Sequence, residues 1–338
     1  MVSPAVTSTA TWDGVYTRHA HNFVGESGFK DQFYNARPLL QLLREKSMSA
    51  SGGQQIVHRV GLGSSAVGGF GAKGKRYDLT DVDPFTAVRY DWKYALEPII
   101  MYHQDEHQAG NAPEARMSLV EDKTKDAGER LRDLLLDKLC AVTSSGDDPN
   151  TLRQFIRTDP DAADTDLMGG LSAATYSAWR NQSDEAALDF SAAGEKRMRD
   201  LTWDCSRGSS ATAIDAYLLP QEFASQYYDL AAAKHDINTG ATRAGTRIAD
   251  VAFSGASFLG RPVIWDKSWD DVADNADKGL ALDLRGIHLV EDKAEAFSVE
   301  PFEKTLAGGV DARVGWIRWT GNLTCSERRT QGIFADLD

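Results

Sequence analysis

The sequence predicts an α+β protein of about two domains, and three features carry that prediction. Two strand-like runs, 54–63 and 85–102, bracket a glycine-rich stretch. A single long helix is expected over 113–142, where Val120, Ala127, Leu131, Leu134, Leu135, Leu139 and Val142 form an apolar stripe at helical spacing. Beyond it, helix and strand patterns alternate to the C-terminus. The 338 residues suffice for about two domains at roughly 150 residues each.

Taken in order, residues 1 to about 36 are polar and spotted with aromatics, without sustained periodicity. They are expected to form an extended arm that orders only against a partner. A short helix follows in "NARPLLQLLREK", with Pro38 suited to a first helical position and Leu39, Leu40, Leu42 and Leu43 on one face. "SMSASGG" ends it at Gly52 and Gly53. The runs "QQIVHRVGLG" and "FTAVRYDWKYALEPIIMY", the second alternating around Val88, Tyr90 and Trp92, predict a long two-stranded ribbon with a charged, glycine-rich tip. An isolated hairpin is marginal in water, so this ribbon is expected to lie on something else, plausibly a neighbouring subunit. The long helix would extend roughly 45 Å at 1.5 Å per residue, and "TSSGDDPN" stops it. Then come a helix at 194–206, a strand in "ATAIDAYLLP", a helix at 221–233 and a glycine-spotted loop at 237–249. "SFLGRPVIWDKS" and "ALDLRGIHLVED" are strand-like, and the tail predicts two strands around "TGN" that close the edge of a sheet.

The bulk composition excludes several classes. Net charge is -13 and the pI is near 5.0. Such a chain is repelled by DNA phosphates, and its densest basic run, Lys196-Arg197-Met198-Arg199, is too short to track a backbone. Cys140, Cys205 and Cys325 form no CxxC pair, which argues against zinc knuckles and against a disulfide framework. Buried, idle thiols are expected. The N-terminal residues have neither a basic nor an apolar signal region, and no apolar run approaches the ~18 residues that would span a bilayer. The expected setting is the cytoplasm or a particle assembled there.

Two motifs suggest chemistry and neither is complete. Gly69-x4-Gly74-Lys75 matches a phosphate-binding P-loop except that Arg76 stands where a magnesium-holding hydroxyl is required. "RYDLTDVDP" follows, with three aspartates where a helix N-terminus should face phosphate. His103-Gln-Asp-Glu106-His107 spells the inverted zinc-protease motif, but Pro98 and "QAGNAP" confine any helix there to two turns and no third ligand is nominated. No G-x-S-x-G elbow exists. Trp179, Trp203, Trp265, Trp269, Trp316 and Trp319 are most economically core or subunit-contact residues. No catalytic residue, cofactor or metal is predicted.

Several stretches together resemble one family. "ARPLLQLLREKSMSASGGQQIVHRV" is similar to an N-terminal arm, a short helix, a Gly-Gly and the first strand of an extended loop. The run from Phe85 to Leu139, with Tyr90-x-Trp92, resembles the returning strand and a long spine helix. "MGGLSAATYSAWRNQ" (168–182), "FLGRPVIWD" (258–266) and "TCSERRTQGIF" (324–334) resemble later segments, with Gly169, Gly170, Tyr176 and Trp179-Arg180 in place. Their order and spacing resemble the major capsid protein of tailed bacteriophages, the Hong Kong 97-type fold, from about residue 37 onward.

That resemblance implies an N-terminal arm with short helix (1–50), an E-loop β-hairpin (51–102), a P-domain portion with the spine helix (103–150), an A-domain and its lead-in (151–286), and closing P-domain strands (287–338). It implies a coat protein that assembles into pentamers and hexamers of an icosahedral head in the host cytoplasm. The head would enclose double-stranded DNA without sequence-specific binding, with no membrane. A separate scaffolding protein or none is implied, because some 50 residues precede the loop; portal and decoration proteins are further possible partners. Gly69, Phe70, Lys73, Lys75 and Arg76 at the loop tip become inter-subunit contact candidates, and no covalent cross-link is predicted. The alternatives are an encapsulin-like non-viral shell and, more distantly, a P-loop NTPase at Lys75 or a zinc hydrolase at His103 and His107.

Overall fold

A computed structural model describes residues 37–62, 70, 73–74, 76, 85–103, 113–160, 167–186, 190–206, 214–235, 257–305 and 312–336. The expected N-terminal arm lies outside the described residues. The chain forms two compact units. One holds the chain up to Gly52 with Trp92–Asn150 and Leu289–Leu323; the other holds Gly53–Asp91, Thr151–His288 and the chain from Thr324 onward.

The first unit is built on a four-stranded sheet. Helix α1 (Pro38–Glu45) begins with the proline, whose missing N–H costs no helical bond at that position, and it buries Leu39, Leu40 and Leu43. Strand β1 (Met48–Ala50) pairs in parallel with β10 (Ile287–Thr305), Met48 opposite Val290. Strand β4 (Lys93–Tyr102) pairs antiparallel with β11 (Ala312–Cys325), Pro98 opposite Trp316. The order is β1-β10-β11-β4, so Pro98 sits in an edge strand, where a missing donor is tolerated.

Helix α2 (Pro113–Cys140) lies on β4. Its buried stripe is Val120, Thr124, Ala127, Leu131, Leu135, Leu136 and Leu139. The period of 3.6 carries Leu134 out of this stripe, and it is exposed. The helix ends at Cys140, so the expected Val142 stands beyond it. Glu97 on the helix-facing side of β4 accepts a 2.7 Å bond from Arg130 Nε. A buried carboxylate ties α1 to the sheet: Glu291 accepts from Arg44 Nε at 3.1 Å and from Trp319 Nε1 at 3.0 Å.

The second unit centres on a six-stranded sheet of order β5-β12-β9-β6-β8-β7. Its strands are β5 (Gln182–Ala186), β6 (Ala216–Leu218), β7 (Ser257–Phe258), β8 (Arg261–Ile264), β9 (Lys278–Leu282) and β12 (Gly332–Asp336). A short helix α3 (Leu152–Phe155) starts at a capping box, Thr151 and Gln154 satisfying each other's backbone N–H. Helices α4 (Phe190–Cys205) and α5 (Gln221–His235) pack together, and α4 lies on β12 and β5. Phe190, Phe223 and Phe334 stack at 4.6 to 5.9 Å and anchor a core that includes Met198, Leu201, Tyr217 and Ala281. Gly279 admits the Phe334 ring, since a Cβ there would lie 2.2 Å from it.

Three expectations are corrected. The run 85–102 is not one strand but two, β3 (Phe85–Tyr90) and β4, divided at Asp91 and Trp92 and belonging to different sheets. The alternation reads through the break because each strand has its own buried face, Val88 and Tyr90 in one, Ile99 and Met101 in the other. "TGN" is not a turn: Thr320, Gly321 and Asn322 continue β11. Gly321 is there for close approach, a Cβ meeting Val290 O at 2.5 Å, and Asn322 Oδ1 accepts from Asn150 N–H at 2.9 Å. The tail does not close a sheet edge. β11 lies between β10 and β4, and β12 between β5 and β9.

Candidate functional site

The ribbon consists of β2 (Ile56–Gly61) and β3, antiparallel, with Ile56 opposite Tyr90 and Val60 opposite Thr86. Alternation gives it two unlike faces. Ile56, Val60, Val88 and Tyr90 are buried on one, whereas Val57, Arg59, Phe85 and Arg89 are exposed on the other.

The buried face rests on the ribbon's own chain, so what the ribbon lies on is supplied within the subunit. Tyr90 Oη donates to the Cys325 carbonyl at 2.8 Å, and its ring meets Phe155 edge-on at 5.8 Å. Arg89 N–H donates to Gly169 O at 3.1 Å. Gly169 and Gly170 form a turn with φ of +63° and +85°, a region that favours glycine. A Cβ on Gly169 would stand 2.7 Å from Val88 Cβ, so this glycine is required twice over. His58 Nε2 lies 3.0 Å from Thr324 Oγ1, and Gln55 Nε2 donates to Asp91 Oδ1 at 2.8 Å. Burial raises the Tyr90 phenol well above its ordinary range, so it stays a neutral donor.

Among the described residues of the connection between β2 and β3, Phe70, Lys73, Gly74 and Arg76 are exposed. Gly74 has φ of +92°. Gly69 and Lys75 lie outside the described residues. Residues 77–84, where a P-loop would open its helix, lie outside the described residues.

A second uncovered surface lies on the four-stranded sheet. Tyr94, Leu96, Ile100 and Tyr102 project from the β4 face opposite Ile99 and Met101, and all four are exposed. Across the ladder Trp316 stands opposite Pro98 on that face and is exposed as well. Residues directly opposite in an antiparallel pair share one face, so these side chains form one apolar patch. Nothing in the sequence separates these aromatics from core ones: of the six tryptophans singled out, Trp179, Trp269 and Trp319 are buried while Trp203, Trp265 and Trp316 are exposed.

The remaining chemical candidates do not assemble. His103 is exposed at the end of β4, and Glu106 and His107 lie outside the described residues. No group of three metal-ligating side chains occurs among the described residues. Cys140, Cys205 and Cys325 are buried thiols outside any disulfide; burial pushes Cys325 up to about 12 and raises Cys205 further. A cleft of about 340 Å³ between β4 and α2 is lined by Glu97, Asp126 and Arg130, which pair with one another. No described helix is long and apolar enough to cross a membrane.

No family model and no curated protein matches the chain. Solved structures do. A chain of the cyanophage A-1(L) capsid asymmetric unit matches with TM-score 0.56 at 12% identity, covering 90% of this chain and 94% of that one. The capsid of a native GTA particle matches with TM-score 0.57 at 11% identity, covering 88% and 90%. A chain of Mycobacterium phage Bobi matches with TM-score 0.53 at 11% identity, again covering 88% and 90%. The chain therefore has the fold of phage capsid proteins.

Proposed function

We propose that this chain is the major capsid protein of a tailed bacteriophage, a coat subunit that assembles into pentamers and hexamers of an icosahedral head around double-stranded DNA. The observation that carries the reading is the phage capsid fold, matched along nearly the whole chain. In this reading the β2–β3 ribbon is the E-loop of a Hong Kong 97-type subunit. The four-stranded sheet with α2 is its P-domain, and the six-stranded sheet with α4 and α5 is its A-domain.

The role is mechanical rather than enzymatic. The two uncovered surfaces, the ribbon tip and the apolar patch around Trp316, are the parts that a neighbour would cover. At the tip, Phe70 offers an aromatic anchor, and Lys73, Lys75 and Arg76 offer cations to an acidic partner, which a second copy with net charge -13 supplies. Gly69 and Gly74 give the backbone the freedom to bend there. The same net charge suits a shell that encloses DNA without adhering to it. Scaffolding, portal and decoration proteins are the further partners of such a head, which is built in the host cytoplasm and ends in the virion. An encapsulin-like shell is the second reading; no residue described above favours it.

Negative-stain electron microscopy of the purified protein tests the class. Polyhedra, tubes or capsomer rings are expected. A protein that stays monomeric at every concentration and salt condition overturns the reading, and shells that co-purify with protein cargo and no nucleic acid favour the encapsulin-like alternative.

A further inference from the structure

We propose that the seat of the ribbon is a proton-operated latch, in which His58 and His288 hold the ribbon against its own chain while neutral and release it on taking charge. The latch is internal to one chain and does not depend on the assembly reading above.

The hydrogen bonds place the proton on the His58 ring. Thr324 has one hydroxyl proton, and it donates that proton to the His288 carbonyl at 3.1 Å. Thr324 Oγ1 can then only accept from His58 Nε2, 3.0 Å away, so Nε2 carries the hydrogen and Nδ1 is left to take an added proton. Next door, Ser326 Oγ lies 3.3 Å from Gly286 O and 3.4 Å from His288 Nε2, which ties the second imidazole to the same seam. One strand of the ribbon thus hangs on the chain Nε2–H, hydroxyl, carbonyl, and the two imidazoles lie 6.0 Å apart between centroids. A second proton on both would place two cations side by side in a seam that is largely closed to water.

Among the described groups that act on the two rings, one carboxylate opposes such charges. From β3, Tyr90 faces His58 at 6.2 Å between rings, and its phenol remains protonated. Cys325, whose carbonyl Tyr90 holds, is equally uncharged, and Arg328 beside it is a further cation. The single carboxylate that attracts His288 is Asp283, already engaged by its own neighbour, Arg285 Nε, at 3.0 Å. Arg59 and Arg89 occupy the opposite face of the ribbon and add no anion.

Burial lowers His58 below the ordinary value near 6.5, and the neighbouring His288 lowers it further. Burial likewise lowers His288, against the Arg285 backbone and Asp283, which raise it. A histidine whose docked value lies below its free value binds protons more readily when undocked. Docking is therefore complete above about pH 6.5 and is lost as pH falls through the docked values.

The test is hydrogen exchange of the full-length protein at pH 7.5 and 5.0, corrected for intrinsic exchange rates. It is run at a concentration where sedimentation gives one species at both pH values. Peptides covering β2 and β3 should lose protection at the lower pH, while those from α4 keep theirs. The double variant His58→Gln with His288→Gln, which keeps an N–H for each hydroxyl, should make ribbon protection the same at both pH values. Thr324→Val should loosen the ribbon already at pH 7.5. The latch is refuted by unchanged wild-type protection at pH 5.0, or by an equal acid loss in the double variant. It is equally refuted if Thr324→Val keeps full protection at pH 7.5.

Discussion

The two sheets differ in how far they bury their large side chains. In the six-stranded sheet, Phe190, Phe223 and Phe334 stack inward, and β6, β9 and β12 are buried along almost their whole length. In the four-stranded sheet one face is covered by α2, while the other carries Tyr94 at 70% exposure, Leu96 at 51% and Trp316 at 38%. The ribbon repeats the contrast along its own length, with Val88 buried at the root and Phe70 bare at the tip. Side chains that stack inward stabilise one chain; a contiguous apolar patch left in water marks a surface for a partner. The difference divides the molecule into parts that fold it and parts left open to solvent.

That division can be broken at several points. The largest effect on folding belongs to the inward stack. Phe334→Ala removes a ring that touches Phe190, Phe223 and Gly279, and should cost about 3–5 kcal/mol, read from urea unfolding. A cost below about 1 kcal/mol would mean that the stack does not organise this sheet. Next comes the seat of the ribbon. Gly169→Ala forces a side chain into a left-handed backbone conformation and against Val88. It should cost about 1–3 kcal/mol and deprotect β2 and β3 in hydrogen exchange. Smallest is the patch: Tyr94→Ser and Trp316→Ser should leave unfolding within about 0.5 kcal/mol of the parent, yet weaken self-association in light scattering. Strong destabilisation of the isolated chain would instead make that face part of the core.

Much of this architecture was legible in the sequence, because local periodicity reported it. The long helix could be read from its apolar spacing, and the ribbon from two alternating runs around a glycine-rich stretch. The break at Asp91 and Trp92 could not, since alternation records that a strand has a buried face and not which strand it pairs with. "TGN" misled for a related reason. A glycine required by a neighbouring backbone looks the same as a glycine required by a turn, and only the approach of Val290 O distinguishes them. The contact candidates were legible only as composition. Phe70, Lys73 and Arg76 stand out as exposed, but the seat that holds the other end of the ribbon depends on Gly169, Thr324 and His288, far away in the chain.

In the proposed reading, the ribbon tip serves contact between subunits and not the fold of its own chain. Replacing residues 68–74 by a short turn, and comparing the variant with the parent by sedimentation velocity and thermal unfolding, tests it most directly. The predicted result is an unchanged unfolding midpoint together with loss or marked weakening of large assemblies. Assemblies of unchanged size and stability would contradict it.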